Sequence, residues 1–358
     1  MARTAPRLFP LTLAAALLAA TVAPAAAQTP AAGQADLDSL KAYMVGHVGE
    51  MKTGTANLVA IATWYHDAAA AEQFDYRKLW DAQGPEVAAK LAEARKDWVE
   101  EAHGNYEQVE GMVAGIPSLA SFDVLIDAGP SGTEDPQNAL DTKVTLPDGT
   151  VLDKPGNYFH ALTEPILWGT EPKWVALAVD VNGDGKVEPG EALPDANALL
   201  GTVQGLDGAT ADLQTAVAAW QPTLDDAFTA LVVMIPTMSG YFDEWKRSPY
   251  VTGGAGDAFV ANSRLVDVLG ILSGLDLTYQ AVEPLIRAES PEQADYLKAE
   301  LAGMIGFVTD LRDRERAGTR FTPEQADQFG LELQTRADAL AGQLTQTAAL
   351  VGATISES

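Results

Sequence analysis

Two stretches between residues 156 and 191 contain the side chains best suited to chemistry. His160 and Glu164 lie four residues apart, so on a helix both would share one face, where an imidazole and a carboxylate form a usable half of a metal site. Further along, from Asp180 to Glu191, short oxygen-bearing side chains recur at alternate positions. Imidazole favours transition metals and an all-oxygen set favours harder cations, so the two stretches predict sites for different ions.

The second stretch has the spacing of an EF-hand calcium loop. Gly185 stands at its sixth position, where the chain turns sharply, and Glu191 stands at its twelfth, where a bidentate carboxylate completes the shell. A lone loop of this kind favours a structural calcium ion over calcium sensing. The alternative is a surface turn rich in Asp and Asn that binds no ion. The predicted calcium ligands are Asp180, Asn182, Asp184, Lys186 through its carbonyl, Glu188 and Glu191.

Three carboxylates upstream could complete the site begun by His160 and Glu164. Glu107 and Glu110 lie three residues apart in a predicted helix, and Asp127 follows a break in that helix. Helical spacing places both glutamates on one face. The alternatives are a solvated helix face for the glutamates and a turn or helix cap for Asp127. His103 is an additional candidate near the pair.

The order of these motifs resembles the imelysin-like family of exported bacterial proteins. The segments that support the resemblance are Tyr106-Glu107-Gln-Val-Glu110, Ile126-Asp127-Ala128, and Asn157-Tyr-Phe-His160-Ala-Leu-Thr-Glu164 leading into Leu167-Trp168-Gly169. The family motif is Gly-x-His-x-x-Glu, so this chain has one residue more between His and Glu. In the second half, Met238-Ser239-Gly240 and Ala261-Asn262-Ser263 are similar to a Ser/Thr-Gly segment and an Asn-bearing helix of the family.

The resemblance spans about residues 35–352 and implies an all-α fold of two helical-bundle halves. Here a small hairpin and one EF-hand-type loop would be inserted. The family includes periplasmic iron-uptake components, and some members were named as metallopeptidases. The resemblance therefore implies a transition-metal site, for iron or zinc, formed by Glu107, Glu110, Asp127, His160 and Glu164. Metal ions and envelope iron-transport components are the partners it implies.

The N-terminus predicts export. Arg3 and Arg7 precede a short apolar run, Leu11 to Ala20, and small residues end at Ala27, as in a cleaved signal peptide. We therefore expect a periplasmic or secreted protein with no membrane span after cleavage; an uncleaved anchor is the alternative. The chain has no Cys, which excludes disulfides and thiolate ligands. Its formal net charge of -27 argues against nucleic acid and favours cations as partners.

The expected organisation is a signal peptide over 1–27, a linker over 28–34, the helical domain over 35–352 and a short tail over 353–358. Within the domain, the halves are 35–179 and 192–352, on either side of the loop at 180–191. Apolar spacing predicts several helices and one hairpin, over Val144–Val151 with an Asp148-Gly149 turn. The predicted helices cover about 35–71, 86–113, 158–168, 172–179, 195–219, 222–247, 257–286, 291–316 and 323–352.

Three functions remain open from the sequence. The first is a non-catalytic exported protein that binds a metal in iron acquisition. The second is a metallopeptidase of the imelysin type, although the His-Glu-x-x-His pattern of zinc peptidases is absent and the chain has only 4 His. The third is a calcium-stabilised envelope scaffold whose transition-metal site is degenerate.

Overall fold

The computed structural model describes residues 33–254 and 258–356, and helices dominate it. The predicted signal peptide and most of the predicted linker lie outside the described residues. The helices are α1 Leu37–Ala71, α2 Tyr76–Asp97, α3 Gly104–Gly115, α4 Ala120–Asp123, α5 Glu164–Trp168, α6 Ala196–Ala219, α7 Leu224–Met234, α8 Met238–Arg247, α9 Arg264–Glu289, α10 Pro291–Arg316 and α11 Pro323–Leu350. The predicted all-α class is confirmed.

Shorter helical turns join or interrupt these helices. Within residues 33–254 and 258–356, three are π-helical and two are 3-10 helical, and the π-helical ones lie in the first half of the chain. They are π1 Trp98–His103, π2 Val124–Ala128 and π3 Phe159–Thr163, with 3-10 turns at Pro172–Trp174 and Ile235–Thr237.

The strands form two antiparallel pairs. Strands β1 (Lys143–Thr145) and β2 (Val151–Asp153) make the predicted hairpin, and Gly149 turns it with a φ of +88°. Strands β3 (Val175–Ala178) and β4 (Ala192–Pro194) make the second pair. The helix predicted over 172–179 is therefore wrong: β3 bonds its backbone to β4 instead. Strands, rather than two helices, flank the Asp180–Glu191 loop.

Helix ends agree with the sequence where capping residues are strong. Helices α10 and α11 begin at the predicted prolines, and the side chains of Ser290 and Thr322 cap them. Helix α2 begins at Tyr76, and at Gln83 the backbone leaves helical geometry, so that a kink separates a first segment from the helix that continues past Pro85. The predicted helix start near Pro85 therefore lies just after this kink. The helix predicted over 222–247 is divided at the Ile235–Thr237 turn, and the one predicted from 257 begins at Arg264.

The core positions α3 against several long helices. Helix α1 packs along α6, and α3 contacts α1, α7 and α9. Two glycines let the backbones of α3 and α9 approach closely: a Cβ added to Gly274 would lie 2.2 Å from the carbonyl oxygen of Gln108, and one added to Gly270 would lie 2.8 Å from Cβ of Glu107. The start of α9 is thereby brought beside the carboxylates of α3.

Among the described residues, α9 is long and apolar enough to cross a membrane. In its most apolar window, however, 72% of the residues are buried inside the protein. The helix packs against α3 and α10. Its hydropathy is therefore that of a central core helix.

Candidate metal centre

Each π-helical turn provides one residue of a buried polar cluster. His103 ends π1, Asp127 lies in π2 and His160 lies in π3. The wider turn is visible in the bonds that span five residues, such as Thr163 N to Tyr158 O at 2.9 Å. Turns of this type hold one residue more than an α-helical turn and are frequent at functional sites.

The cluster brings two histidines and several carboxylates together. Nε2 of His103 lies 3.0 Å from Oε1 of Glu107, and Nε2 of His160 lies 3.2 Å from Oδ1 of Asp127. The two Nε2 atoms are 3.3 Å apart. In three sets of residues, one ligand atom from each member lies within 4.8 Å of the others. These sets are His103–Asp127–His160, His103–Glu107–Asp267 and Glu107–Glu110–Asp127.

Several ligand atoms of the cluster have no hydrogen-bond partner among the described residues. They are buried, and they are Nδ1 of His103, both carboxylate oxygens of Glu107, Oε2 of Glu110 and Oδ1 of Asp127. The short contact between Glu107 and His103 does not have hydrogen-bond geometry. A buried polar atom left unsatisfied costs about 1–3 kcal/mol. Because these atoms face one another, the residues present fit a metal ion.

Glu164 lies at the cluster but contacts the outer nitrogen of His160. Its Oε2 is 2.7 Å from Nδ1 of His160, and its Oε1 accepts a hydrogen bond of 3.0 Å from the backbone N–H of Ala261. A carboxylate on the far ring nitrogen fixes the orientation of a ligating histidine. The structure thus brings the two predicted residues together but places Glu164 to orient His160, and metal binding by the pair stays a prediction.

Four residues of the second half were not predicted as part of the site. Arg264 donates from Nη1 to Oδ2 of Asp267 at 2.9 Å and from Nε to Glu244 at 2.8 Å. Tyr241 donates its hydroxyl hydrogen to Oε1 of Glu110. The sequence signal that could have indicated them is the similarity of residues 238–240 and 261–263 to family segments, because Tyr241 and Arg264 follow those segments directly.

Burial shifts the carboxylates of α3 toward their neutral forms. It raises the pKa values of Glu107 and Glu110 well above the ordinary range, and neighbouring carboxylates add to the effect. Burial and Asp127 together raise the pKa of Asp123 to about 7. Burial lowers the pKa of His103 to about 4, so at neutral pH this ring is neutral and has a lone pair for a metal.

His160 and Asp127 form a charged pair despite their burial. Burial acts against both charges, but Asp127 and Glu164 outweigh it at His160 and raise its pKa well above 6.5. At Asp127, His160 and then Arg264 outweigh burial and lower the pKa to about 2. In the metal-free protein, the imidazolium therefore partly neutralises the cluster.

Two cavities reach the cluster from outside. One, of about 580 Å³, is a groove between β2 and the turn that holds His160 and Glu164. The other, of about 510 Å³, reaches Asp127, Tyr241 and Arg264. Phe259 lines both cavities, and its ring lies 5.1 Å from that of His160. Small solutes can therefore approach His160 from two sides.

Residues 181–189 of the Asp180–Glu191 loop are exposed, whereas Glu191 is buried, and the loop connects β3 to β4. Oδ2 of Asp180 accepts from Gly185 N at 2.8 Å, and Oε2 of Glu191 accepts from Glu188 N at 3.0 Å. Gly183 and Gly185 have positive φ. The acidic side chains curl toward their own backbone, but among the described residues the sets close enough to hold a metal lie in the buried cluster. Calcium binding by the loop stays a prediction.

The family model of imelysin (Peptidase_M75) matches residues 51–347. The chain belongs to the imelysin family. The match includes all five residues predicted for the transition-metal site and the whole of the predicted calcium loop. No curated protein matches the chain. For this imelysin family member, the resemblance inferred from the sequence motifs is confirmed at the level of the family.

Proposed function

We propose that this imelysin family member binds a transition-metal ion in the buried cluster and takes part in metal acquisition. Iron is the first candidate for that ion. The supporting observation is the set of unpartnered ligand atoms on His103, Glu107, Glu110 and Asp127. Such atoms are costly in a buried site unless a cation satisfies them.

The donor chemistry selects the class of ion. Imidazole nitrogens of His103 and His160 accompany carboxylates, and Cys is absent from the whole sequence. Mixed nitrogen and oxygen donors suit iron, manganese and zinc, whereas calcium prefers oxygen alone. Residues 103–164 would therefore hold the transition metal, and the hairpin loop would hold calcium in a structural role.

Export and delivery to envelope iron-transport components complete the proposal. The pattern of residues 1–27 supports export, and the strongly acidic composition suits a protein that collects cations. Binding is proposed as the function because nearly every ligand side chain is buried, which favours retention of an ion over turnover of a substrate.

A metallopeptidase of the imelysin type is the second candidate. The observation that favours it is the groove of about 580 Å³ beside His160 and Glu164, which could admit a peptide to one side of the metal. Cleavage of an unfolded casein-like substrate that requires metal and is lost in His160→Ala would favour the peptidase. Metal binding without any cleavage would favour the carrier.

The proposal is tested by elemental analysis of the protein purified without chelator and reloaded anaerobically with iron(II). We expect bound iron in the wild type and none in the combined His160→Ala, Glu110→Ala variant. Glu283→Gln is the matched control, because Glu283 pairs with Arg287 and Lys298 outside the cluster. Equal iron in the double variant and the wild type would refute the proposal.

A further inference from the structure

We infer that the cluster holds two metal ions that share the carboxylate of Glu107. The inference rests on the proposed metal-binding function and extends it. Two of the three residue sets, His103–Glu107–Asp267 and Glu107–Glu110–Asp127, have only Glu107 in common. These two sets mark two neighbouring positions whose other ligands differ, and the third set takes His103 from one, Asp127 from the other and adds His160.

Glu107 has the free atoms that a bridging ligand needs. The residue is 2% exposed, and neither carboxylate oxygen has a hydrogen-bond partner among the described residues. One oxygen can face each ion, as carboxylates do in paired-metal sites built between helices. A single ion bound by one oxygen would leave the other without a partner in the protein interior.

Each position has its own supporting hydrogen bonds. On one side, Tyr241 binds Oε1 of Glu110 and leaves Oε2 free for an ion. On the other side, Arg264 binds Oδ2 of Asp267, while Asn262 donates to its Oδ1 at 3.1 Å. The same Oδ1 lies 3.9 Å from Nδ1 of His103, the unpartnered ring nitrogen. Outer partners of this kind orient metal ligands.

The charge of the cluster also favours two ions. The buried carboxylates that face the two positions or His160 are those of Glu107, Glu110, Asp127, Glu164 and Asp267, and Arg264 lies among them. The buried carboxylate of Asp123 instead accepts from Tyr106, and Arg264 also pairs with the partly exposed Glu244. When all are ionised and both histidines are neutral ligands, one divalent cation leaves excess negative charge in the interior. Two divalent cations offset most of it.

The test is the zinc stoichiometry of the full-length protein, measured by mass spectrometry after dialysis against zinc with millimolar calcium to fill the hairpin loop. We expect two zinc ions per chain in the wild type and in the Glu283→Gln control. Glu110→Gln and Asp267→Asn should each retain one, and Glu107→Gln should retain fewer than either. Circular dichroism checks that each variant is folded.

One zinc ion per wild-type chain would overturn the two-ion inference and leave the proposed function intact, whereas no zinc would overturn both. If Asp267→Asn does not fold without its Arg264 partner, Glu110→Gln decides: two zinc ions or none in that variant would contradict separate positions.

Electron paramagnetic resonance after loading with manganese(II) gives an independent readout. Exchange-coupled pairs are expected, and a spectrum of isolated ions only would refute the shared carboxylate.

Discussion

The buried cluster and the exposed hairpin loop are two acidic regions built in opposite ways. The loop takes its predicted ligands from twelve consecutive residues, Asp180 to Glu191, whereas the cluster takes its ligands from positions as distant as His103 and Asp267. In the loop, carboxylate oxygens already accept hydrogen bonds from backbone N–H groups. In the cluster, several have no partner among the described residues.

This difference determines what a cation does in each region. In the loop, a calcium ion would replace contacts to the backbone and to solvent, so the protein without calcium should stay folded. In the cluster, an ion would replace protons and unsatisfied atoms in a medium of low dielectric constant, where electrostatic interactions are strong. We therefore expect tighter and more pH-dependent binding in the cluster than in the loop.

The largest effect should follow from Glu107→Gln. Loss of a ligand at the centre of the cluster should weaken zinc or iron binding by at least about a hundredfold, or about 3 kcal/mol. The metal-free protein should melt close to the wild-type temperature, because Glu107 is already shifted toward its neutral form. Calorimetric titration and thermal unfolding measure the two quantities. Wild-type affinity in the variant would refute the assignment of Glu107 as a metal ligand.

The second effect is a rise in metal affinity with pH. The pKa values of Glu107, Glu110 and His160 are all raised, so an incoming metal must displace protons. Affinity should rise by up to about tenfold per pH unit for each proton released. Titration calorimetry in two buffers of different ionisation enthalpy counts the protons. Binding with no proton release would contradict the description of the metal-free cluster.

Without metal, loss of the charged pair of His160 and Asp127 should lower the free energy of unfolding at high pH. Because the pKa of His160 is raised on folding, its stabilising contribution is complete below about pH 6.5 and is lost as the pH rises through the folded value. Because the pKa of Asp127 is lowered to about 2, its contribution is present above about pH 4 and is lost toward pH 2. Urea unfolding of His160→Gln across this range is the check, since the variant should lack the alkaline loss.

A smaller effect is expected from Tyr241→Phe. Glu110 would lose the donor that orients it, and the metal affinity should fall by about tenfold while the stoichiometry stays unchanged. Tyr279→Phe is the matched control, because Tyr279 is also buried but donates to the backbone carbonyl of Ala294 in α10. An equal loss in both variants would assign the effect to general destabilisation instead of ligand orientation.

The smallest effect should come from Glu191→Gln. This variant should abolish a calcium-dependent rise of a few degrees in the melting temperature, because Glu191 would close the calcium shell. Transition-metal binding should not change. Scanning calorimetry with and without calcium measures the shift. A rise of the same size in variant and wild type would count against the loop as the calcium site.

The sequence predicted the parts of the site that depend on local motifs. Glu107, Glu110, Asp127 and His160 were recognised from motif order, and the structure brings them together. Asp267 was not recognised, because its place beside Glu107 depends on the close approach of α3 and α9 at Gly270. The helix starts at Pro291 and Pro323 could be predicted from their capping residues, because a cap acts within the first turn of its helix.

The part of the fold that sequence patterns predicted wrongly depends on contacts between distant segments. Residues 175–178 form a strand because they pair with 192–194 across the loop, and no helical or strand period is long enough to show this.

The π-helical turn at Phe159–Thr163 explains how His160 and Glu164 stay in contact although the motif has one residue more than the family pattern. In an α-helix, each residue turns the side chain by about 100°, so an inserted residue would rotate every later position out of phase. A wider turn takes up the extra residue within one revolution, and His160 and Glu164 remain 2.7 Å apart. Deletion of Ala161 should thus be tolerated better than insertion of another residue at that position. In this helix, one added residue between His160 and Glu164 therefore leaves both side chains on the same face.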